Sequence, residues 1–220
     1  MINYDDLPLF PLHVVLFPEM PLPLHIFEPR YREMILRCRE EHSPFGVTLI
    51  QSGEEAISHP IGTMARITQF EELPDGRMNI LVIGEKRFQV IRSLHDKPYL
   101  SAQVRPFGEQ ATDTAQIEAL AAIVAEQFKV YLKSLLAMTG RSLGALQLPQ
   151  DPEALSYAIA SVLQIENCEK QSLLEMTDTT GRLAREAELL QSQLAEEDAA
   201  PEHLIVPANT RELGKLASLN

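Results

Sequence analysis

Apolar positions along the chain change period near residue 108. Ahead of that point they come in short runs. Residues 8–29, PLFPLHVVLFPEMPLPLHIFEP, hold six prolines. That is too many for a helix, because proline lacks an N–H and its ring clashes with the preceding turn. The leucines, valines and phenylalanines between them are too apolar for a disordered linker. Short strands bent at the prolines meet both conditions. Leu22, Leu24 and Ile26 alternate with Pro23 and His25 at the period of a half-buried strand. Pro29 suits a first helical turn. Tyr31, Met34, Ile35 and Cys38 then share one face of a helix predicted over 29–41, with Glu33 and Arg37 spaced for an ion pair on the other. Further strands are predicted over 45–50, 63–72, 78–83, 87–91 and 99–106, with a polar loop at 51–60. Leu73-Pro74-Asp75-Gly76-Arg77 reads as a hairpin turn in which Gly76 supplies a positive φ, and Gly84 as a bulge or bend.

After Phe107-Gly108 the period becomes 3.6. Ile117, Leu120, Val124, Phe128, Tyr131 and Leu135 mark one face of a helix over about 113–138. Asp151-Pro152-Glu153 is a helix start, with an N-cap carboxylate, a proline at the first position and an acid suited to the dipole. Leu155, Ile159, Val162 and Leu163 supply its buried face. Two more helices are expected near 168–176 and 179–197. The chain divides on this reading into a mostly β part at 1–108, a helical bundle at 109–198 and an extended tail at 199–220.

Several of these stretches together resemble one family. Leu7-Pro8-Leu9-Phe10-Pro11-Leu12, Val14-Val15-Leu16-Phe17-Pro18-Glu19-Met20 and Leu22-Pro23-Leu24-His25-Ile26-Phe27-Glu28 are similar to the opening of the Lon N-terminal domain. Pro60-Ile61-Gly62-Thr63-Met64-Ala65-Arg66-Ile67, the 73–77 turn and Val82-Ile83-Gly84-Glu85-Lys86-Arg87-Phe88 resemble its middle hairpin. Leu173-Leu174-Glu175-Met176-Thr177-Asp178 with Arg182-Leu183 resembles its closing helices. The resemblance implies an α+β fold, a PUA-like six-stranded β-barrel followed by an α-helical bundle. It also implies a substrate-recognition module, and the chain is expected to depart from Lon in lacking the AAA+ motor and Ser–Lys protease domains. The partners it implies are unfolded or partly folded protein segments, and a protease with which such an adaptor would work in protein quality control. Pro18, Met20 and Leu22 at the turn, with Phe27, Glu28 and Arg30 at the adjoining corner, are the candidate peptide contacts. The rest of the opening stretch reads as scaffold.

Charge narrows the alternatives. The formal net charge is −12, there is no Trp, and the chain has only 8 Phe and 5 Tyr. A PUA-like barrel that binds RNA would need a basic stripe and stacking aromatics, so nucleic acid is the second reading. Arg30, Arg32, Arg37 and Arg39 form a local cluster of positive charge, interleaved with Glu33, Glu40 and Glu41. No apolar run approaches the roughly 20 residues that span a bilayer, and the first residues carry acids where a secretion signal needs bases. Cys38 and Cys168 lack a nearby second thiol and read as reduced core thiols, so a cytoplasmic protein is expected.

Catalysis finds little support. No GxxxxGK[ST] is present to cradle phosphate, and the six histidines supply no HExxH. Gly140-Arg-Ser-Leu-Gly144 echoes the G-x-S-x-G elbow, yet a helix precedes Ser142 where the elbow needs a strand. No cofactor, metal or catalytic residue is expected.

Overall fold

The computed structural model describes residues 4–50, 59–110, 114–138 and 147–199. Six strands, β1 Leu7–Leu12, β2 Pro21–Ile26, β3 Phe45–Leu49, β4 Ile61–Glu72, β5 Met78–Leu94 and β6 Ser101–Pro106, form one mixed sheet. Among the described residues five helices accompany them: α1 Pro29–Glu40, α2 Thr114–Met138, α3 Pro152–Val162, α4 Asn167–Glu175 and α5 Thr179–Ala199. The fold is α+β. The sheet order is β2-β5-β4-β3-β1-β6, and β6 pairs again with β5, so the pairings from β5 through β4, β3, β1 and β6 return to their start. Only β1 and β3 run parallel; the other neighbours are antiparallel.

Two compact units are present, Met1–Gln110 with Ala160–Thr177, and Ala111–Ile159 with Asp178–Asn220. This differs from the contiguous division expected at 108, because α4 joins the strands. The reason lies in hydrogen bonds that no periodicity reveals. Arg87, buried in β5, donates from Nη1 to the carbonyls of Leu174 and Met176, both at 2.6 Å, and pairs through Nη2 with Glu109. Gln171 donates to the Ile61 carbonyl at 3.0 Å, and Asn167 to that of His13 at 2.8 Å. Both ends of α4 are thus tied to the strand unit.

The sheet unit buries two apolar clusters. One gathers Leu16, Leu22, Ile26, Phe45 and Val82 around the inner face of α1, Tyr31, Met34, Ile35 and Cys38. The other packs Leu7, Leu9, Met64, Ala102 and Val104 about Phe88. Phe88 explains two small residues beside it: a Cβ on Gly46 or Gly62 would stand 2.6 or 2.8 Å from its ring. Gly76 has φ +79°, as the turn chemistry requires.

Three expectations need correction. The strands read at 78–83 and 87–91 are one strand of 17 residues. Thr63 pairs with Arg87 but Ala65 with Gly84, so the polar Glu85-Lys86 is absorbed in a bulge rather than breaking the strand. Arg37 bonds Glu41 at 2.9 Å and the Tyr99 hydroxyl at 3.1 Å, where the spacing had suggested Glu33. Cys168 is exposed and only Cys38 lies in the core, where burial pushes its thiol up to about 11.

In the second unit the inner face of α2 is Val124, Phe128, Tyr131, Leu132 and Leu135. Asp151 caps α3 through the Ala154 N–H at 2.8 Å, and Asp178 caps α5 through the N–H groups of Thr180 and Gly181.

Candidate functional site

The turn between β1 and β2 is held by the sheet it leads into. Leu16 and Phe17 are driven into the core at 1% and 0% exposure. The chain then reverses through Glu19, whose φ of 61° is uncommon outside glycine. Two backbone hydrogen bonds lock the reversal: Glu19 N–H donates to the Gly84 carbonyl at 2.8 Å, and Gly84 N–H donates to that of Met20 at 3.0 Å. Only glycine fits opposite, since a Cβ on Gly84 would lie 2.1 Å from the Phe17 carbonyl oxygen.

From that anchor the backbone of β2 alternates. The Met20 carbonyl faces β5, so the main-chain groups of Leu22, Leu24 and Ile26 also face β5, and those of Pro21, Pro23 and His25 face away. Among the described residues β2 has β5 as its one neighbouring strand. Its free edge therefore offers carbonyl acceptors, while two of the three outward positions are prolines without a donor.

The side chains alternate too. Leu22 is buried at 6%, whereas Pro23, His25 and Phe27 are exposed, Phe27 at 60%. Across the sheet, His25 stands opposite Asn79, and Asn79 opposite Glu71. His25 Nδ1 and Asn79 Oδ1 are 2.8 Å apart, and Asn79 Nδ2 donates to Glu71 at 3.0 Å. The rings of His25 and Phe27 stack at 6.2 Å. A solvent-facing strip results, apolar along β2 and polar across it.

The sequence candidates fall on both sides of this strand. Pro18 and Met20 are half-buried, Met20 against the core around α1, and Leu22 points into that core. Phe27, Glu28 and Arg30 come together at the outer corner. Glu28 occupies the N-cap position of α1 in extended conformation without a side-chain cap. It accepts instead from Arg30 Nε at 2.9 Å, and the Arg30 guanidinium lies 4.7 Å from the Tyr31 ring centroid. The His25–Asn79–Glu71 row was not anticipated, because it depends on register across three strands. Neither was a buried polar cluster in the helical unit. There Arg182 Nε donates to Ser156 Oγ at 2.6 Å, and Ser156 Oγ is 3.0 Å from Glu186 Oε1. Burial pushes the Glu186 carboxyl well above its ordinary range, against the opposing pull of Ser156 and Arg182. An arginine and a glutamate four apart in a helix were the available signal.

Among the described residues no three His, Cys, Asp or Glu side chains converge as metal ligands. Ser142 lies outside the described residues. No helix of those described is long and apolar enough to cross a membrane.

Residues 6–192 match the family described as the ATP-dependent protease La (LON) substrate-binding domain. The chain belongs to that family. Within it, the chain is 28% identical over 200 residues to the Lon protease of Escherichia coli (strain K12), covering 86% of this chain and 25% of that one. It is 30% identical over 198 residues to the Lon protease of Solibacter usitatus, covering 86% and 24%. The chain thus spans about a quarter of the length of the curated Lon proteases it matches. A Lon N-terminal domain protein from Xanthomonas campestris superposes with a TM-score of 0.60 at 27% identity, over 82% of this chain and 96% of that one. The N-terminal domain of the Mycobacterium avium complex Lon protease gives 0.63 at 21% identity, over 85% and 98%, a likeness of fold.

Proposed function

We propose that this Lon substrate-binding domain is a non-catalytic module that holds unfolded or partly folded protein segments in the cytoplasm, as an adaptor in protein quality control. Its architecture on this reading is a PUA-like barrel, which the cyclic strand pairing supports. The observation that carries the binding reading is Phe27. It is a phenylalanine 60% exposed, beside exposed Pro23 and His25, in the part of the chain that matches the family. Burying such a ring against an apolar side chain contributes about 1.5–3 kcal/mol. Glu28 and Arg30 flank it and would orient the polar parts of a bound segment. Contact along β2 runs through side chains, because the proline positions cannot donate to an added strand.

The test is fluorescence anisotropy with a permanently unfolded, reduced and alkylated protein, in the absence of ATP. Binding is expected to vary little with salt, since burying apolar area releases no counterions. Phe27→Ser should weaken it by about 10- to 150-fold without lowering the melting temperature. Labelled RNA in the same assay should show no saturable binding at physiological salt. Salt-sensitive RNA binding, or unfolded-protein binding indifferent to Phe27→Ser, would overturn the reading.

A further inference from the structure

The outer face of α2 carries a second pattern. Ala119, Ile123, Glu126, Val130, Lys133 and Ala137 succeed one another in alternating steps of four and three, and all six are exposed. Ile123 is 60% and Val130 53% exposed, two of the largest apolar groups left in water. A solvated helix face needs only polar residues. Steps of three and four that keep apolar side chains on one line are the seam of a coiled coil. This seam is about 27 Å long at 1.5 Å per residue. Its charged members have opposite signs, Glu126 toward the N-terminal half and Lys133 toward the C-terminal half. Glu126 pairs with Lys129 on its own helix, in an exposed contact at 2.6 Å that is readily exchanged.

We propose that α2 pairs antiparallel with α2 of a second copy of this chain. The charge order selects both the partner and its direction. A parallel in-register pair would set Glu126 against Glu126 and Lys133 against Lys133, which repel. An antiparallel pair about a two-fold axis near residue 128 sets Ala119 against the second copy's Ala137 and brings Glu126 within one layer of its Lys133, twice over by symmetry. Ile123 and Val130 lie between these ion pairs and lose their contact with water. The alanines at both ends let the backbones approach closely.

Sedimentation velocity of the full chain over micromolar to submillimolar concentration tests this. A concentration-dependent dimer is expected. Ile123→Glu with Val130→Glu should leave a monomer whose melt matches wild type, since both positions are exposed. Glu126→Lys or Lys133→Glu alone should weaken the dimer about tenfold. The two reversals combined should restore it, an outcome that only pairing between these residues produces. A wild-type chain that stays monomeric would overturn the proposal, leaving residues 200–220 or a different protein as the cover of this face. A dimer that ignores all four substitutions would overturn it equally.

Discussion

Replacing Gly84 by alanine tests how the β1–β2 turn is held. The added Cβ would sit 2.1 Å from the Phe17 carbonyl oxygen, 3.0 Å from its carbon and 3.2 Å from Leu16 Cγ. The nearest neighbours are backbone, so relief requires the turn to move. Overpacking of this kind costs about 1–3 kcal/mol. Moving the turn also strains the hydrogen bonds from Glu19 N–H to the Gly84 carbonyl and from Gly84 N–H to that of Met20, each worth about 0.5–1.5 kcal/mol net. Alanine recovers about 0.4–1 kcal/mol by restricting the unfolded chain. The balance is a loss of about 2–4 kcal/mol, or roughly 5–15 °C in melting temperature for a chain of this size. Gly108 supplies the control, because nothing lies within 4 Å of a Cβ built there. Gly108→Ala should change stability by no more than about 0.5 kcal/mol. Thermal melts followed by far-ultraviolet circular dichroism compare the two directly. Equal melting temperatures for both variants would show that the Phe17–Met20 turn does not pack on Gly84 as described.

Arg87→Ala should destabilise by about 3–5 kcal/mol, read as a urea midpoint, because it strips a buried partner from Glu109 and from the Leu174 and Met176 carbonyls. Hydrogen exchange should show α4 opening first. Gly76→Val should cost about 1–3 kcal/mol through the positive φ, and an unshifted urea midpoint would refute that strain. Glu186 carries a pH signature. Its folded-state pKa is raised above the ordinary 4.5, so its contribution is fully present below that value and is lost as pH rises through the folded pKa. Glu186→Gln should therefore gain stability on wild type as pH rises above the ordinary 4.5, by about 1.4 kcal/mol per pH unit at most, until the folded-state carboxyl ionises. A difference independent of pH would show that the carboxyl ionises normally.

Elements with local causes were legible in the sequence. Pro29 and Pro152 mark helix starts, Asp75-Gly76 marks the hairpin, and the inner face of α2 follows its period. What escaped were consequences of distant pairing. Glu85-Lys86 looked like an interruption because its place in a bulge is visible only opposite Thr63 and Ala65. The attachment of α4 rests in part on Arg87, one polar residue among several in β5, whose acceptors lie almost ninety positions away. At the candidate site, Phe27 was readable as an apolar residue past the end of an alternating strand. Leu22 was chosen for the same apolarity, yet the alternation that made β2 a strand also turns Leu22 inward. Apolarity nominates a contact, and only the face of the sheet decides whether it is reachable.

The prolines of β2 carry a consequence for a protein that would spend its time among unfolded chains. Such chains are rich in segments able to extend any sheet whose margin offers a regular row of donors and acceptors, and each captured strand exposes a fresh margin for the next. Pro21 and Pro23 interrupt that row at the outward positions of β2, so growth in this direction loses the donors it needs for propagation. Replacing both by threonine would restore the row without touching the core, turning this margin of the sheet into a template for cross-β polymer.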